Sequence, residues 1–173
     1  EVLVGYRYVP TSMSRNPLVM YEALTEVSLR AGKRDERLPK DAPYNHAVEL
    51  DYPSIQKKHL IRMLGVMLHQ GKAREAAEWY VKERKVWNWE EEFTDWKGLS
   101  SYLCWGYFFE PDQIEKILTQ TASYLAEFFK LLRYSKAKTH SLIKMIFEPQ
   151  LKRRNHINYG KLLGGVKNKL GWY

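Results

Sequence analysis

The sequence predicts a mostly α-helical protein: a helical hairpin and a long amphipathic helix, flanked by an extended N-terminal arm and a basic C-terminal segment. Three observations carry this. Apolar residues recur at three- and four-residue spacing from Ser54 to Leu132. Proline and glycine sit at the breaks between those runs. Positive charge collects at one end of the chain. On this pattern the chain divides into 1–53 (arm, one short helix and a loop rich in proline and charge), 54–132 (helical body) and 133–173 (basic helical segment).

In residues 1–16, Val2, Val4, Tyr6 and Tyr8 alternate with Leu3, Gly5 and Arg7, the period of a strand, until Pro10. Asn16 before Pro17 is a helix-start signal: an amide that can cap free N–H groups, then a proline whose missing N–H costs nothing at the first position. Leu18, Tyr21, Leu24, Val27 and Leu29 then give an apolar face as far as Ala31, and Gly32 ends it. Residues 33–53 hold nine charged residues and three prolines, and read as an irregular stretch that is either mobile or laid over another molecule, the second being favoured in a large assembly.

Ser54 is placed to cap the next helix, with Leu60, Ile61, Leu64, Met67 and Leu68 at helical spacing. Gly71 marks a break. Residues 72–86 continue as a second helix with Ala73, Ala76, Ala77, Tyr80 and Val81 inward, which makes a helical hairpin. Residues 87–109 are dense in aromatics interrupted by Glu90, Glu91, Glu92 and Asp95. Stacking on nucleic acid pairs aromatics with basic neighbours, so this stretch reads as an aromatic core or a protein-contact patch. Trp87, Trp89, Trp96 and Trp105 are its candidate contact residues. Pro111 opens the longest helix, with a stripe from Ile114 to Leu132, acids at its start, and Lys130 and Arg133 at its end to suit the helix dipole. A further helix is expected from Thr139 to Phe147, stopped by Pro149, and a short one near Tyr159.

The 173 residues carry a net charge of +8, and that figure is an average of two unlike parts. From Lys130 onward there are eleven basic residues against one acid, Glu148, a net of +10; the first 129 residues carry 17 basic and 19 acidic groups, a net of −2. Such asymmetry points to a polyanion held by the C-terminal quarter. The candidate RNA-binding residues are Lys136, Lys138, Lys144, Lys152, Arg153, Arg154, Asn155, His156, Tyr159, Lys161, Lys167 and Lys169. Lysine and arginine neutralise phosphates; Asn, His and Tyr add hydrogen bonds and stacking surface suited to irregular RNA.

Nothing in the sequence points to catalysis. The five histidines form no i, i+4 pair, and the single cysteine, Cys104, has no basic neighbour to activate it. Gly71-Lys72 lacks the upstream glycine and the following Ser or Thr of a phosphate-binding loop. No enzyme, metal, cofactor or small-molecule substrate is therefore expected. No apolar run approaches the roughly 18 residues that span a bilayer, so no transmembrane segment is expected.

Two stretches resemble ribosomal proteins. Residues 60–80, LIRMLGVMLHQGKAREAAEWY, resemble the first helical hairpin of small-subunit ribosomal protein seven, with its Gly-Lys turn followed by Ala-Glu. They are also similar to one unit of a pentatricopeptide repeat. Residues 153–169, RRNHINYGKLLGGVKNK, resemble part of large-subunit ribosomal protein twenty, where a basic run precedes a Tyr and a Gly-Leu-Lys-type helix. Jointly the resemblances imply a divergent organellar ribosomal protein of the mitochondrial matrix, with no single family assigned. Its expected partners are rRNA or other structured RNA and neighbouring protein subunits. The alternatives are a helical adaptor or accessory subunit of a protein-only complex, docked through the aromatic patch and able to meet a membrane surface, and a DNA-binding protein using a helix from 139–170.

Overall fold

A computed structural model of the chain describes residues 16–43, 45–103 and 114–152. Among these residues the fold is mostly helical and holds no strand. The order is α1 (Pro17–Ala31), α2 (Tyr52–His69), α3 (Ala73–Trp87), a 3-10 turn (Phe93–Gly98), α4 (Leu99–Leu103), α5 (Ile114–Leu131) and α6 (Lys136–Lys152). The arm before Asn16, the segment around Cys104 and Trp105, and everything after Lys152 lie outside the described residues.

Helix α1 starts as its sequence predicts. The Asn16 side chain accepts from the N–H groups of Leu18 (3.2 Å) and Val19 (3.3 Å). Its inward face differs from expectation: Pro17, Tyr21 and Ser28 are buried, while Leu18 and Val27 are 46% and 63% exposed. Residues 17, 21, 24 and 28 form one stripe, and Leu18 and Val27 sit to either side of it. Polar groups on the inward face are paired with α2. The Thr25 hydroxyl donates to Gln56 Oε1 at 2.7 Å, and Ser28 Oγ lies 3.1 Å from His59 Nε2.

The cap of α2 is Asp51, three residues before Ser54, which was expected to take that role. Its carboxylate accepts from the Ser54 N–H at 3.2 Å, and those hydrogen bonds hold its pKa below the ordinary value. Pro53 is thereby taken into the first turn, where its missing N–H is harmless. Helix α2 is the centre of the fold and contacts α1, α3, α4, α5 and the 3-10 turn. Leu60, Ile61, Met63, Leu64, Met67 and Leu68 are all buried, consistent with a helix covered on most sides.

The hairpin turn ends α2 in a Schellman motif. The Lys72 N–H reaches Met67 O (3.0 Å) and the Gly71 N–H reaches Leu68 O (3.0 Å). Gly71 has φ +79°, and a Cβ there would press on the Tyr124 ring at 3.1 Å, so both the backbone and the packing call for glycine. In α3, Ala73, Ala76, Ala77 and Tyr80 face inward as predicted, but Val81 is 57% exposed. It lies about 100° around the helix from Tyr80, and the buried stripe continues instead to Glu83. That buried carboxylate accepts from the Tyr21 hydroxyl at 2.8 Å and from the Trp87 indole at 3.2 Å, which ties α1 to α3.

Helix α6 buries Thr139, Leu142, Ile143, Ile146 and Phe147, a stripe at three- and four-residue spacing, against α5, α4 and the 3-10 turn. It starts earlier and ends later than expected. Pro149 does not stop it, and the helix runs on to Lys152. A proline three residues from a helix end forfeits one backbone donor, which the rest of the helix tolerates. Residues of α1 through α6 contribute to a single apolar core.

Candidate functional site

The aromatic segment after α3 was expected to be an aromatic core or a contact patch; for Trp96 and Trp89, named as contact residues, the structure shows core. Trp96 is fully buried and Trp89 is 8% exposed. Trp96 meets Phe128 (5.7 Å, 74°) and Phe129 (5.2 Å, 88°) edge-to-face, and packs at a tilt on Tyr80 (5.1 Å). The acids that interrupt the aromatics set up this burial. Glu92 and Asp95 form a reciprocal capping box that starts the 3-10 turn and carries Trp96 inward. Trp87 is half-buried against the core, its indole N–H on Glu83. Trp105 lies outside the described residues.

Glu91 is the polar centre of the region, with a side chain only 10% exposed. It accepts from the hydroxyls of Tyr80 (2.8 Å) and Tyr134, and from Lys138 Nζ at 3.0 Å; Arg84 lies at 3.7 Å. Burial works against its ionisation, but the hydrogen bonds from Tyr134, Lys138 and Tyr80 outweigh that and hold its carboxyl below the ordinary value. Burial and the same carboxylate push both tyrosine hydroxyls well above theirs. One carboxylate thus joins α3, the loop after it, the α5–α6 turn and the first turn of α6. The sequence marks Glu91 only as one of three consecutive glutamates; nothing local in Glu90, Glu91 and Glu92 shows which one turns inward.

Beside this cluster lies a cleft of about 710 Å³. Its walls are the last turns of α3 and the α5–α6 turn, with Val81, Arg84, Lys85, Asn88, Leu131 and Arg133 among its lining residues. Two lining residues have positive φ: Asn88 (+48°) and Arg133 (+62°). Asparagine adopts this conformation readily; arginine does so rarely. Sequence reasoning missed the cleft, because its residues come from two helix ends that are distant in the chain.

Of the candidate RNA-binding residues, Lys136, Lys138, Lys144 and Lys152 fall on α6. Lys144 is exposed on the face away from the buried stripe, and Lys136 is exposed as the first residue of the helix. Lys138 has a second engagement: its ammonium is held by Glu91 and lies 3.7 Å from the centre of the Tyr134 ring. Arg153, Arg154, Asn155, His156, Tyr159, Lys161, Lys167 and Lys169 lie outside the described residues. Among the described residues no group of three or more His, Cys, Asp or Glu side chains could hold a metal ion. No helix among them is long and apolar enough to cross a membrane.

The chain matches no protein-family model, no curated protein and no solved structure.

Proposed function

We propose that this chain is a non-enzymatic structural subunit of a large ribonucleoprotein, of the mitochondrial ribosome type, that holds structured RNA on a basic surface beginning at the end of α5. The observation that carries the reading is the two-sidedness of α6. Its apolar stripe is sealed in the core while Lys144 stands exposed on the other side, and Lys136 at its first residue and Arg133 just before it are exposed at its start. These cations are therefore presented on a packed helix rather than on a loose tail, at the start of the segment with net +10. Cations carried on an ordered backbone need only their side chains ordered when they meet phosphates, and such contacts set the position of a protein on RNA.

The protein-only adaptor is weakened by the same packing. Its proposed interface was the aromatic patch, and Trp96 and Trp89 are enclosed within the chain.

Truncation after Phe129 is a poor test, because it would strip Leu142, Ile143, Ile146 and Phe147 from the core. Charge reversal at two exposed positions is cleaner. Lys136→Glu with Lys144→Glu in the full chain should lower affinity for structured RNA and reduce the slope of log affinity against log salt by about two or more. Unchanged affinity and slope would remove α6 from the RNA surface. Sedimentation with ribosomal subunits from mitochondria tests the assembly, and consistent absence from those fractions would sink it.

A further inference from the structure

We propose that the cleft between the end of α3 and the α5–α6 turn takes one unstacked nucleotide of single-stranded RNA, its base inside and its phosphate at the rim. This rests on the RNA-binding reading above and adds the element of RNA that is recognised.

Size comes first. About 710 Å³ lies within the range of small-molecule sites and is ample for one base and its sugar. Chemistry then decides what sits where. Helices α3 and α5 both end at this cleft, and a helix C-terminus carries partial negative charge. Glu91 adds a carboxylate at the same place. An anion is therefore disfavoured in the depth of the cleft, whereas a neutral base is not. The walls suit a base: Val81 and Leu131, 57% and 40% exposed, offer apolar surface to it.

The rim suits a phosphate. Arg84, Lys85 and Arg133 are exposed there against one exposed acid, Glu90. Glu91 is shared among Lys138, two tyrosine hydroxyls and Arg84 at 3.7 Å, so it offsets Arg84 in part and leaves Lys85 and Arg133 as the other rim cations. Asn88 supplies an amide with both a donor and an acceptor, the pair of groups that reads the edge of an adenine. Arg133 sits in a left-handed conformation that disfavours it, at a position where glycine would be relaxed. Backbone strain of this kind collects at functional sites. The cleft also opens where the basic C-terminal quarter begins, so a strand lying along α6 can drop one base into it.

The test uses the full chain with short labelled single-stranded RNAs and a duplex of the same sequence. Val81→Asp puts an anion into the cleft at an exposed position. Val86→Asp, at a site 63% exposed on the same helix but outside the cleft lining, controls for charge alone. Val81→Asp should weaken single-strand binding about tenfold, the scale of one lost base contact, with a much smaller effect from Val86→Asp and on the duplex. Asn88→Gly keeps the left-handed backbone and should flatten differences among adenine, uracil and cytosine oligomers. Equal effects of the two aspartates, or equal losses on single strand and duplex, overturn the cleft proposal and leave RNA binding intact. Failure of the unmodified chain to bind any RNA overturns the RNA reading itself.

Discussion

The rings of Phe129 and Tyr134 stack at 5.4 Å, nearly parallel at 13°, across the end of α5. They occupy the two positions that a Schellman motif brings together. The Tyr134 N–H reaches Phe129 O (3.0 Å) and the Arg133 N–H reaches Lys130 O (2.9 Å). The α2–α3 turn uses the same pattern of hydrogen bonds with Gly71 in the left-handed position; here Arg133 holds it. Arg133→Gly should therefore raise stability by about 1 kcal/mol, read from the urea midpoint, because the left-handed penalty disappears. It should also weaken RNA binding, so that stability and function move in opposite directions.

Glu91 gathers several donors, and its loss leaves them stranded. Glu91→Gln should cost about 1–3 kcal/mol at neutral pH, since Lys138 loses its charge partner and one tyrosine hydroxyl its best acceptor. The pH dependence has a definite sign. The carboxyl is held below its ordinary value of 4.5 in the folded chain, so its stabilisation is complete above 4.5 and drains away as pH falls through the lowered folded value. Unmodified chain and Glu91→Gln should converge in acid. Denaturant unfolding at neutral pH and near pH 3 checks both statements.

Trp96 is the ring on which the other aromatics converge. Trp96→Ala should cost about 3–5 kcal/mol, the range for emptying a large aromatic site, and would loosen α5, α6 and the loop together. Trp96→Phe should cost much less. It keeps most of the ring packing and removes an indole N–H that finds no acceptor among the described residues. Thermal unfolding of the two variants separates these outcomes.

His59 makes the stability of the fold sensitive to acid through the partial burial of its ring. The Ser28 hydroxyl donates to Leu24 O at 2.8 Å, which suits a ring that donates to Ser28 from Nε2, a contact that a proton added at Nδ1 leaves in place. Burial, helped by the charge of Arg62, lowers its pKa from the ordinary 6.5. The folded chain then binds fewer protons than the unfolded one. Stability from the neutral ring is whole above 6.5 and declines as pH falls below it toward the folded value. His59→Gln should flatten the stability profile between about pH 7 and 5. An unchanged profile would rule the ring out as the source.

Periodicity was enough for α1, α2, α3, α5 and α6, but not for the 3-10 turn and α4, which fall in the stretch read only as aromatic. The apolar residues of α2 and the alanines of α3 repeat at helical spacing, and that spacing depends on local chain geometry alone. Caps were legible where a side chain reaches its own neighbours, as Asn16 does. Errors arose where distant segments decide. Leu18, Val27 and Val81 look inward on a helical wheel, yet the neighbouring helices cover a different stripe. Trp96 reads as a contact residue until α5 and α6 are seen to enclose it. The basic quarter was visible in composition, whereas the cleft is not, since Arg84 and Arg133 are 49 positions apart in the chain.

The connection between α1 and α2 has a consequence for how the chain opens. Asn45 is buried in that stretch, and its amide alone accepts from the Asp35 N–H at 2.8 Å and donates to Asp35 O and Pro39 O, with Leu38 O sharing a hydrogen at 3.4 Å. Arg37 meanwhile clasps the Asp35 carboxylate and lowers its pKa to about 2. So many restraints on one side chain make the loop a single latch. In hydrogen–deuterium exchange, the amides of Asp35 and Asn45 should give up protection together and well before those of α2, as one local opening. Asn45→Ala would leave the helices standing and make residues 35–43 the first place a protease cuts among the described residues.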